Sequence, residues 1–139
     1  MEREPYLHRV AYYETDKMGI AHHSNYVRWM EEARIDMLDK AGMAYDVMES
    51  KGVISPVVSV NCKYKYPSFF NDIIEITTKM LQYTGVRFVI GYEMKNLRTG
   101  KLVCSGQTEH CFTDKNGRPI YIAEVYPDIS EILNSIVGE

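Results

Sequence analysis

Alternating apolar and polar side chains run through most of the second half of this chain. The alternation covers residues 58–66, 74–80 and 86–94, and a further long segment, 102–112, is interrupted only by Gly106. A period of two puts alternate side chains on opposite faces of a β-strand. The pattern therefore predicts four long strands, joined by short loops into an antiparallel sheet with one apolar face. The tyrosines expected on the inward faces are Tyr64, Tyr66 and Tyr92.

A long helix is predicted over about residues 24–41, before these strands. Five small or apolar residues recur there at steps of four, three, four and four, and so share one face. They are Tyr26, Met30, Ala33, Met37 and Ala41. The charged residues between them, Arg34 included, are expected mostly in solvent. Ser24 is the expected N-cap, and Gly42 the expected stop, because glycine adopts the left-handed conformation at little cost.

Three further elements complete the predicted order. Residues 6–13 favour a first strand, residues 44–51 a short second helix, and residues 126–137 a C-terminal helix. The helix over residues 24–41 has one apolar face, which one face of the sheet must cover. The sequence thus predicts an α+β fold in which a long antiparallel sheet curls around a central helix. The face of the sheet that points away from the helix is expected to be polar or to pair with another copy of the chain.

Length and charge limit the classes of function. A chain of 139 residues is expected to form one domain, over residues 1–139. A net charge of −3 gives no electrostatic footprint for nucleic acid or for an anionic membrane. No apolar run reaches membrane-spanning length, and the first ten residues lack the apolar stretch of a signal peptide. The three cysteines show no metal-ligand spacing, which favours a reduced, cytoplasmic setting over a secreted one.

One acidic residue, Asp16, lies in the loop that leads into the long helix. A helix N-terminus favours a nearby negative charge, so this carboxylate could act as a base or nucleophile at neutral pH. The backbone amides near His23 and Ser24 could meanwhile polarise a substrate carbonyl. The spacing is equally compatible with a second interpretation, in which Asp16 only ties down a turn.

The histidines beside this loop do not indicate a metal site. His22 and His23 are adjacent, so their side chains point in different directions and make poor joint ligands. The chain has no HExxH-type or paired Cys/His pattern. It also has no Gly-x-Ser-x-Gly elbow and no phosphate-cradling glycine loop. We expect His22 to be exposed and hydrogen-bonded, and His23 to matter more because it borders the helix start.

Three short runs resemble a known family. Residues 13–20 (YETDKMGI), 23–26 (HSNY) and 32–34 (EAR) are similar to the signature of the 4-hydroxybenzoyl-CoA thioesterase-like hotdog proteins. The family pattern is an acid, any residue, Asp, two residues and Gly, followed by an Asn- or Ser-Tyr that opens the helix. These proteins include the small bacterial acyl-CoA thioesterases. The resemblance also covers residues 52–65, and it implies a hotdog fold with the element order predicted above.

The resemblance also implies roles for individual residues. Asp16 corresponds to the catalytic carboxylate, which acts on a thioester as nucleophile or general base. The amide of His23 corresponds to the donor that polarises the thioester carbonyl, and Gly19 keeps the loop close to the substrate. His22 stands where relatives often have an aromatic or aliphatic residue, which places it near the acyl pocket.

Assembly and substrate follow from the same resemblance. The family works as homodimers or homotetramers with active sites at the dimer interface, so Ser59 and Asn61 would face the pocket from the partner chain. No metal or organic cofactor is implied, because coenzyme A is part of the substrate. The expected function is therefore acyl-CoA hydrolysis. The alternatives are a non-catalytic acyl-CoA or acyl-carrier binding module, and a hotdog dehydratase. The dehydratase is less favoured because the motif lacks a paired His and Glu.

Overall fold

An antiparallel sheet and one long helix make up most of this computed structural model, which describes residues 4–138. The strands are β1 (Tyr6–Arg9), β2 (Val57–Tyr64), β3 (Ile73–Tyr83), β4 (Arg87–Asn96) and β5 (Leu102–Cys111). The helices are α1 (Ser24–Lys40), α2 (Tyr45–Ser50), α3 (Ile122–Val125) and α4 (Pro127–Ile136). The order of strands in the sheet is β1-β3-β4-β5-β2, with every neighbouring pair antiparallel. The two edge strands are therefore β1 and β2.

The predicted α+β class and element order are confirmed, with two differences in the elements. The first strand ends at Arg9 rather than at residue 13, because residues 12–14 turn into a short 3₁₀ segment. The short helix α3 was not predicted. At the end of α1, Gly42 has a φ of 89°, which is the left-handed conformation expected of a helix stop. The predicted domain also included residues 1–3 and 139, which lie outside the described residues.

The core lies between α1 and the inner face of the sheet. Trp29, Met30 and Met37 of α1 are fully buried, as are Ile76 of β3 and Met94 of β4. Burying each such side chain stabilises the fold by roughly 1.5–3 kcal/mol relative to leaving it exposed. The apolar face predicted for the helix is therefore the face that packs against the sheet.

Gly106 of β5 allows two neighbours to approach this strand closely. A Cβ atom at residue 106 would lie 2.3 Å from the carbonyl oxygen of Asn61 in β2 and 2.5 Å from Met30 Cε of α1. Neither distance is compatible with a side chain, so only glycine fits here without movement of its neighbours. Gly106, which interrupts the predicted strand, is therefore a residue at which α1 and β2 both approach β5 closely.

The burial of α1 is wider than its apolar pattern predicted. Arg34, expected in solvent, is only 4% exposed, and the expectation was wrong because the loop before β2 covers this side of the helix. Its Nη1 donates a hydrogen bond to Ser55 Oγ at 3.1 Å, and its guanidinium lies 6.0 Å from the centre of the Tyr45 ring. The wider buried stripe therefore includes a cation, Arg34.

Two of the three tyrosines expected inside are half-exposed. Tyr92 of the central strand β4 is buried, as predicted. Tyr64 and Tyr66 are not, because they lie at the end of the edge strand β2 and just beyond it. The expectation for this pair was wrong because an alternating sequence does not reveal whether a strand is central or at an edge.

A buried histidine makes the stability of the core depend on pH. His110 of β5 is completely buried and stacks on the Phe88 ring at 4.7 Å. Its Nε2 lies 2.8 Å from Thr108 Oγ1, and its Nδ1 lies 3.3 Å from the carbonyl oxygen of Ser55. Burial, reinforced by the nearby charge of Arg34, lowers the pKa of His110 from 6.5 to about 4.

We therefore expect the free energy of unfolding to fall as the solution becomes more acidic. In the unfolded chain, His110 becomes protonated as the pH falls through 6.5. In the folded chain, His110 stays neutral until the pH falls to about 4, so acid favours the unfolded chain over this range. The loss between pH 7.5 and pH 5 should be about 2 kcal/mol. Urea unfolding at the two pH values measures it. A His110→Gln variant should lose this part of the dependence, and an unchanged dependence would contradict the assignment.

Candidate active site

Residues 14–22 form a tight hairpin that leads into α1. Thr15 and Ala21 pair across it as an antiparallel bridge. At its base, the His22 N–H donates a hydrogen bond to the Glu14 carbonyl oxygen at 2.8 Å. The loop predicted from the sequence is thus an ordered two-stranded turn, and its second strand delivers the chain directly to the helix start.

Asp16 lies on the first strand of this hairpin, next to the turn. Its Oδ1 accepts a hydrogen bond from the Met18 N–H at 2.8 Å, and its backbone N–H donates to the Ile20 carbonyl oxygen at 2.9 Å. Its Oδ2 accepts no hydrogen bond from residues 4–138, and the side chain is partly exposed. The carboxylate therefore ties down a turn with one oxygen and presents the other to its surroundings.

Gly19 closes the turn in a conformation that suits glycine. Its φ is 79°, and its N–H donates to the Asp16 carbonyl oxygen at 2.9 Å. A Cβ atom at this position would meet nothing within 4 Å. Backbone conformation, rather than lack of space, is therefore what favours glycine here.

The N-cap predicted at Ser24 is wrong. Ser24 is the first helical residue, and His23 precedes it with helical backbone angles of −57° and −28°. The Ser24 N–H points to Nδ1 of His22 at 3.2 Å, and the Ser24 hydroxyl lies 2.9 Å from the same nitrogen. The His22 imidazole thus takes the capping role expected of the Ser24 hydroxyl. His22 is exposed and hydrogen-bonded, as predicted.

One amide at the start of α1 remains available. The Asn25 N–H donates to the His22 carbonyl oxygen at 3.0 Å, and the Tyr26 N–H donates to the His23 carbonyl oxygen at 3.3 Å. With the Ser24 N–H directed to His22, only the His23 N–H of this group donates to no partner among the described residues. It lies at the positive end of the α1 dipole, where a negative charge is favoured by about 0.3–2 kcal/mol.

Aromatic rings cluster at the start of α1, beside the residue that carries this free amide. The His22 and His23 rings have centroids 4.2 Å apart, and the His23 ring lies 6.0 Å from that of Tyr64 in β2. The Tyr64 hydroxyl donates to the His23 carbonyl oxygen at 3.4 Å, and its ring lies 5.3 Å from that of Tyr26. The helix start therefore opens onto planar side chains from both α1 and the edge strand.

Glu14 is a functional candidate to which the sequence analysis assigned no role, although it is the acid at the start of the family pattern. It is only 5% exposed. Its Oε1 accepts the Ala11 N–H at 2.8 Å and lies 2.8 Å from His8 Nε2, while its Oε2 accepts Trp29 Nε1–H at 2.8 Å. Burial raises the pKa of Glu14, but hydrogen bonds from Ala11, Trp29 and His8 outweigh that effect and hold it below its ordinary value. An acid two residues before Asp16 was the available signal.

Within one chain, Ser59 and Asn61 are not brought to Asp16. Their neighbour Cys62 points toward α1, with its Sγ 3.9 Å from Met30 Sδ, so both lie on the opposite face of the sheet. Ser59 Oγ donates to a Glu109 oxygen at 3.3 Å, and Asn61 lines a cavity of about 730 Å³ on that outer face. Their role toward a partner chain stays a prediction.

The part of the chain that the structure describes contains neither a cluster of potential metal ligands nor a helix that could span a membrane. No group of three or more His, Cys, Asp or Glu side chains within residues 4–138 is arranged to hold a metal ion. None of the helices within those residues is long and apolar enough to span a bilayer. The cysteines are free thiols, and Cys104 is buried.

A family model, a related protein sequence and a crystal structure each match this chain, and all three are named as thioesterases or thioesterase-like proteins. The family model of the Thioesterase-like superfamily matches residues 10–133. YneP of Bacillus subtilis, which carries the provisional name acyl-CoA thioesterase, is 38% identical over 120 residues, or 86% of each chain. The crystal structure of DHNA-CoA thioesterase from Staphylococcus aureus is 34% identical, with a TM-score of 0.91 over 96% of this chain and 89% of that one.

A more distant relative has a fully named substrate. The 1,4-dihydroxy-2-naphthoyl-CoA hydrolase of Thermosynechococcus vestitus is 26% identical over 106 residues, which are 76% of this chain and 72% of the relative. Together, the findings confirm the predicted hotdog fold and the predicted enzyme class, thioester hydrolase. With a family match that spans nearly the whole chain, this protein belongs to the Thioesterase-like superfamily.

Proposed function

We propose that this protein hydrolyses the thioester of an acyl-CoA to the free acid and coenzyme A. One observation carries the proposal: a single short stretch holds a carboxylate with a free oxygen, Asp16, and a free backbone amide, that of His23, at a helix N-terminus. These are the two groups that thioester hydrolysis needs. The family membership and the acyl-CoA thioesterase relatives support the same reaction.

The two groups have complementary roles in this mechanism. The His23 N–H donates to the thioester carbonyl oxygen and stabilises the negative charge that develops there, a contribution of roughly 3 kcal/mol for one well-placed donor. Asp16 either removes a proton from water as the water oxygen attacks the carbonyl carbon, or attacks that carbon itself. The C–S bond then breaks and coenzyme A leaves. In the second route, water cleaves the resulting anhydride and restores the carboxylate.

Aromatic acyl groups are the favoured substrates within this proposal. The ring of His23, the residue that carries the free amide, lies 4.2 Å from the His22 ring and 6.0 Å from the Tyr64 ring, so we expect a planar acyl group bound to that amide to contact them. Aromatic pairs of this kind contribute about 0.5–1.5 kcal/mol beyond the area that they bury. The named substrate of the T. vestitus relative is aromatic as well.

Thiol release from a panel of acyl-CoAs tests the proposal. Benzoyl-CoA and a hydroxylated aroyl-CoA should be hydrolysed with a higher kcat/KM than acetyl-CoA and octanoyl-CoA, with free coenzyme A detected by a thiol reagent. Preference for the straight chains would reject the aromatic class alone. Binding of acyl-CoA by calorimetry without any release of thiol would instead identify a non-catalytic binding module.

We also propose that the protein works as a homodimer or homotetramer in the cytoplasm. Every residue of the edge strand β2 except Cys62 is exposed, including Val57, Val58 and Val60, and an exposed apolar edge strand favours pairing with another chain. Three free cysteines favour a reducing compartment.

Sedimentation velocity measures the expected assembly. The protein should sediment at micromolar concentration with at least twice the 16.1 kDa mass of the chain. Val60→Lys should shift the distribution toward the monomer, because it replaces an exposed apolar side chain of the edge strand with a charge in both copies. A wild-type protein that remains strictly monomeric would contradict a site completed by a partner.

A further inference from the structure

We propose that Glu14 is a positioning residue for the thioesterase reaction: its buried carboxylate fixes the Asp16 hairpin against α1, where the free His23 amide lies. The inference rests on the proposed function, because it assigns Glu14 a role through Asp16 rather than contact with substrate. It rests on the geometry of a single side chain that joins three separate elements.

The carboxylate of Glu14 is held from three directions. His8 Nε2 of β1 lies 2.8 Å from Oε1, and the Ala11 N–H, before the 3₁₀ segment, donates to the same oxygen. Trp29 Nε1–H of α1 donates to Oε2 at 2.8 Å. With both oxygens engaged and the residue nearly inaccessible to solvent, the side chain has one permitted arrangement.

The backbone of Glu14 extends these ties to both sides of the hairpin. Its carbonyl oxygen accepts hydrogen bonds from the buried Asn25 Nδ2–H at 2.9 Å and from the His22 N–H at 2.8 Å. Asn25 Nδ2–H also lies 3.1 Å from the His22 carbonyl oxygen. Glu14 thus joins the first hairpin strand, which carries Asp16, to the residues around His23. A displacement of about 1 Å between reacting groups can reduce a rate by two orders of magnitude.

Only a carboxylate can accept all of these hydrogen bonds. A glutamine at residue 14 has one carbonyl oxygen, so its NH₂ group would face either Trp29 Nε1–H or the Ala11 N–H, donor against donor. His8 has a second acidic neighbour, with its Nδ1 3.5 Å from Glu32 Oε2, and Glu32 in turn accepts the Tyr6 hydroxyl at 3.0 Å. The Glu14→Gln change therefore leaves β1 tied to α1 and loosens the hairpin selectively.

The test combines kinetics with hydrogen exchange in the full-length protein. Glu14→Gln should lower kcat at least tenfold while KM stays within twofold, because substrate contacts are intact and only the reacting carboxylate is misplaced. Exchange of the His22 and Asp16 amides should accelerate at least tenfold, with exchange in the middle of α1 unchanged. Trp29→Phe, which removes one donor to Glu14 together with part of a buried ring, should produce the same pair of effects, and the double variant should add little.

Tyr83→Phe provides the control, since it removes a partly buried hydrogen bond to Ser130, outside the hairpin, and should leave kcat unchanged. A normal kcat in Glu14→Gln, or hairpin exchange that does not accelerate, would overturn the inference. Failure of the proposed function is recognised separately, because the wild-type protein would then release no thiol. In that case the exchange rates alone decide whether Glu14 holds the hairpin.

Discussion

Replacing Asp16 with asparagine should reduce the rate of thiol release at least a hundredfold while the fold stays intact. The carbonyl oxygen of asparagine can still accept the hydrogen bond from the Met18 N–H, so the turn persists. The free oxygen becomes an NH₂ group, which cannot attack a thioester or remove a proton from water. The loss corresponds to about 2.7 kcal/mol of transition-state stabilisation. Steady-state kinetics of the variant measure the rate of thiol release, and circular dichroism measures whether the fold is intact.

Asp114→Asn is the matched control for this experiment. Asp114 also holds a turn with one carboxylate oxygen, which accepts the N–H groups of Asn116 and Arg118 at 2.8 and 3.0 Å. It lies in the turn after β5, outside the hairpin over residues 14–22, so the same chemical change should leave the rate within twofold. If Asp16→Asn retains more than a tenth of the wild-type rate, Asp16 is only a turn residue and the mechanism is wrong.

Gly106→Ala should lower the free energy of unfolding by about 3 kcal/mol. The added methyl group would overlap the Asn61 carbonyl oxygen and Met30 Cε, at 2.3 and 2.5 Å. A backbone atom of β2 cannot rotate away, so the strand must move and its pairing with β5 weakens. Chemical unfolding of the variant measures the effect.

Gly91→Ala tests the specificity of this result. Gly91 also lies inside a strand, β4, but the three atoms nearest to its added Cβ would all belong to the Leu81 side chain, the nearest at 3.0 Å. A leucine can change rotamer, so the stability should change by less than about 1 kcal/mol. Equal losses in the two variants would mean that strand glycines are costly to replace here for reasons other than close approach.

Much of the fold follows from the periods in the sequence. The spacing from Tyr26 to Ala41 predicts α1 nearly to the residue, because a one-sided helix needs a regular apolar stripe. Alternation likewise predicts β3 and β4, which are central strands covered on one face. The alternation in β2 predicted the strand but not its exposure, since edge and central strands have the same period.

The details of the candidate site depend on contacts between distant residues. The family resemblance indicates Asp16 and the His23 amide, but only the structure reveals that the His22 ring takes the neighbouring amide of Ser24. Glu14 reaches Trp29, fifteen positions along the chain, through a contact that no local pattern encodes. Arg34 is buried for the same reason, because the loop containing Ser55 folds over it.

The unequal edges of the sheet have a consequence for growth into larger particles. A sheet with two long free edges can recruit copies without limit and produce filaments. Here one edge is the eight-residue β2, and the other is the four-residue β1, which turns away at Arg9. In the proposed dimer, if two copies pair symmetrically through β2, only the two short β1 edges are left free, so the assembly would be finite rather than a filament.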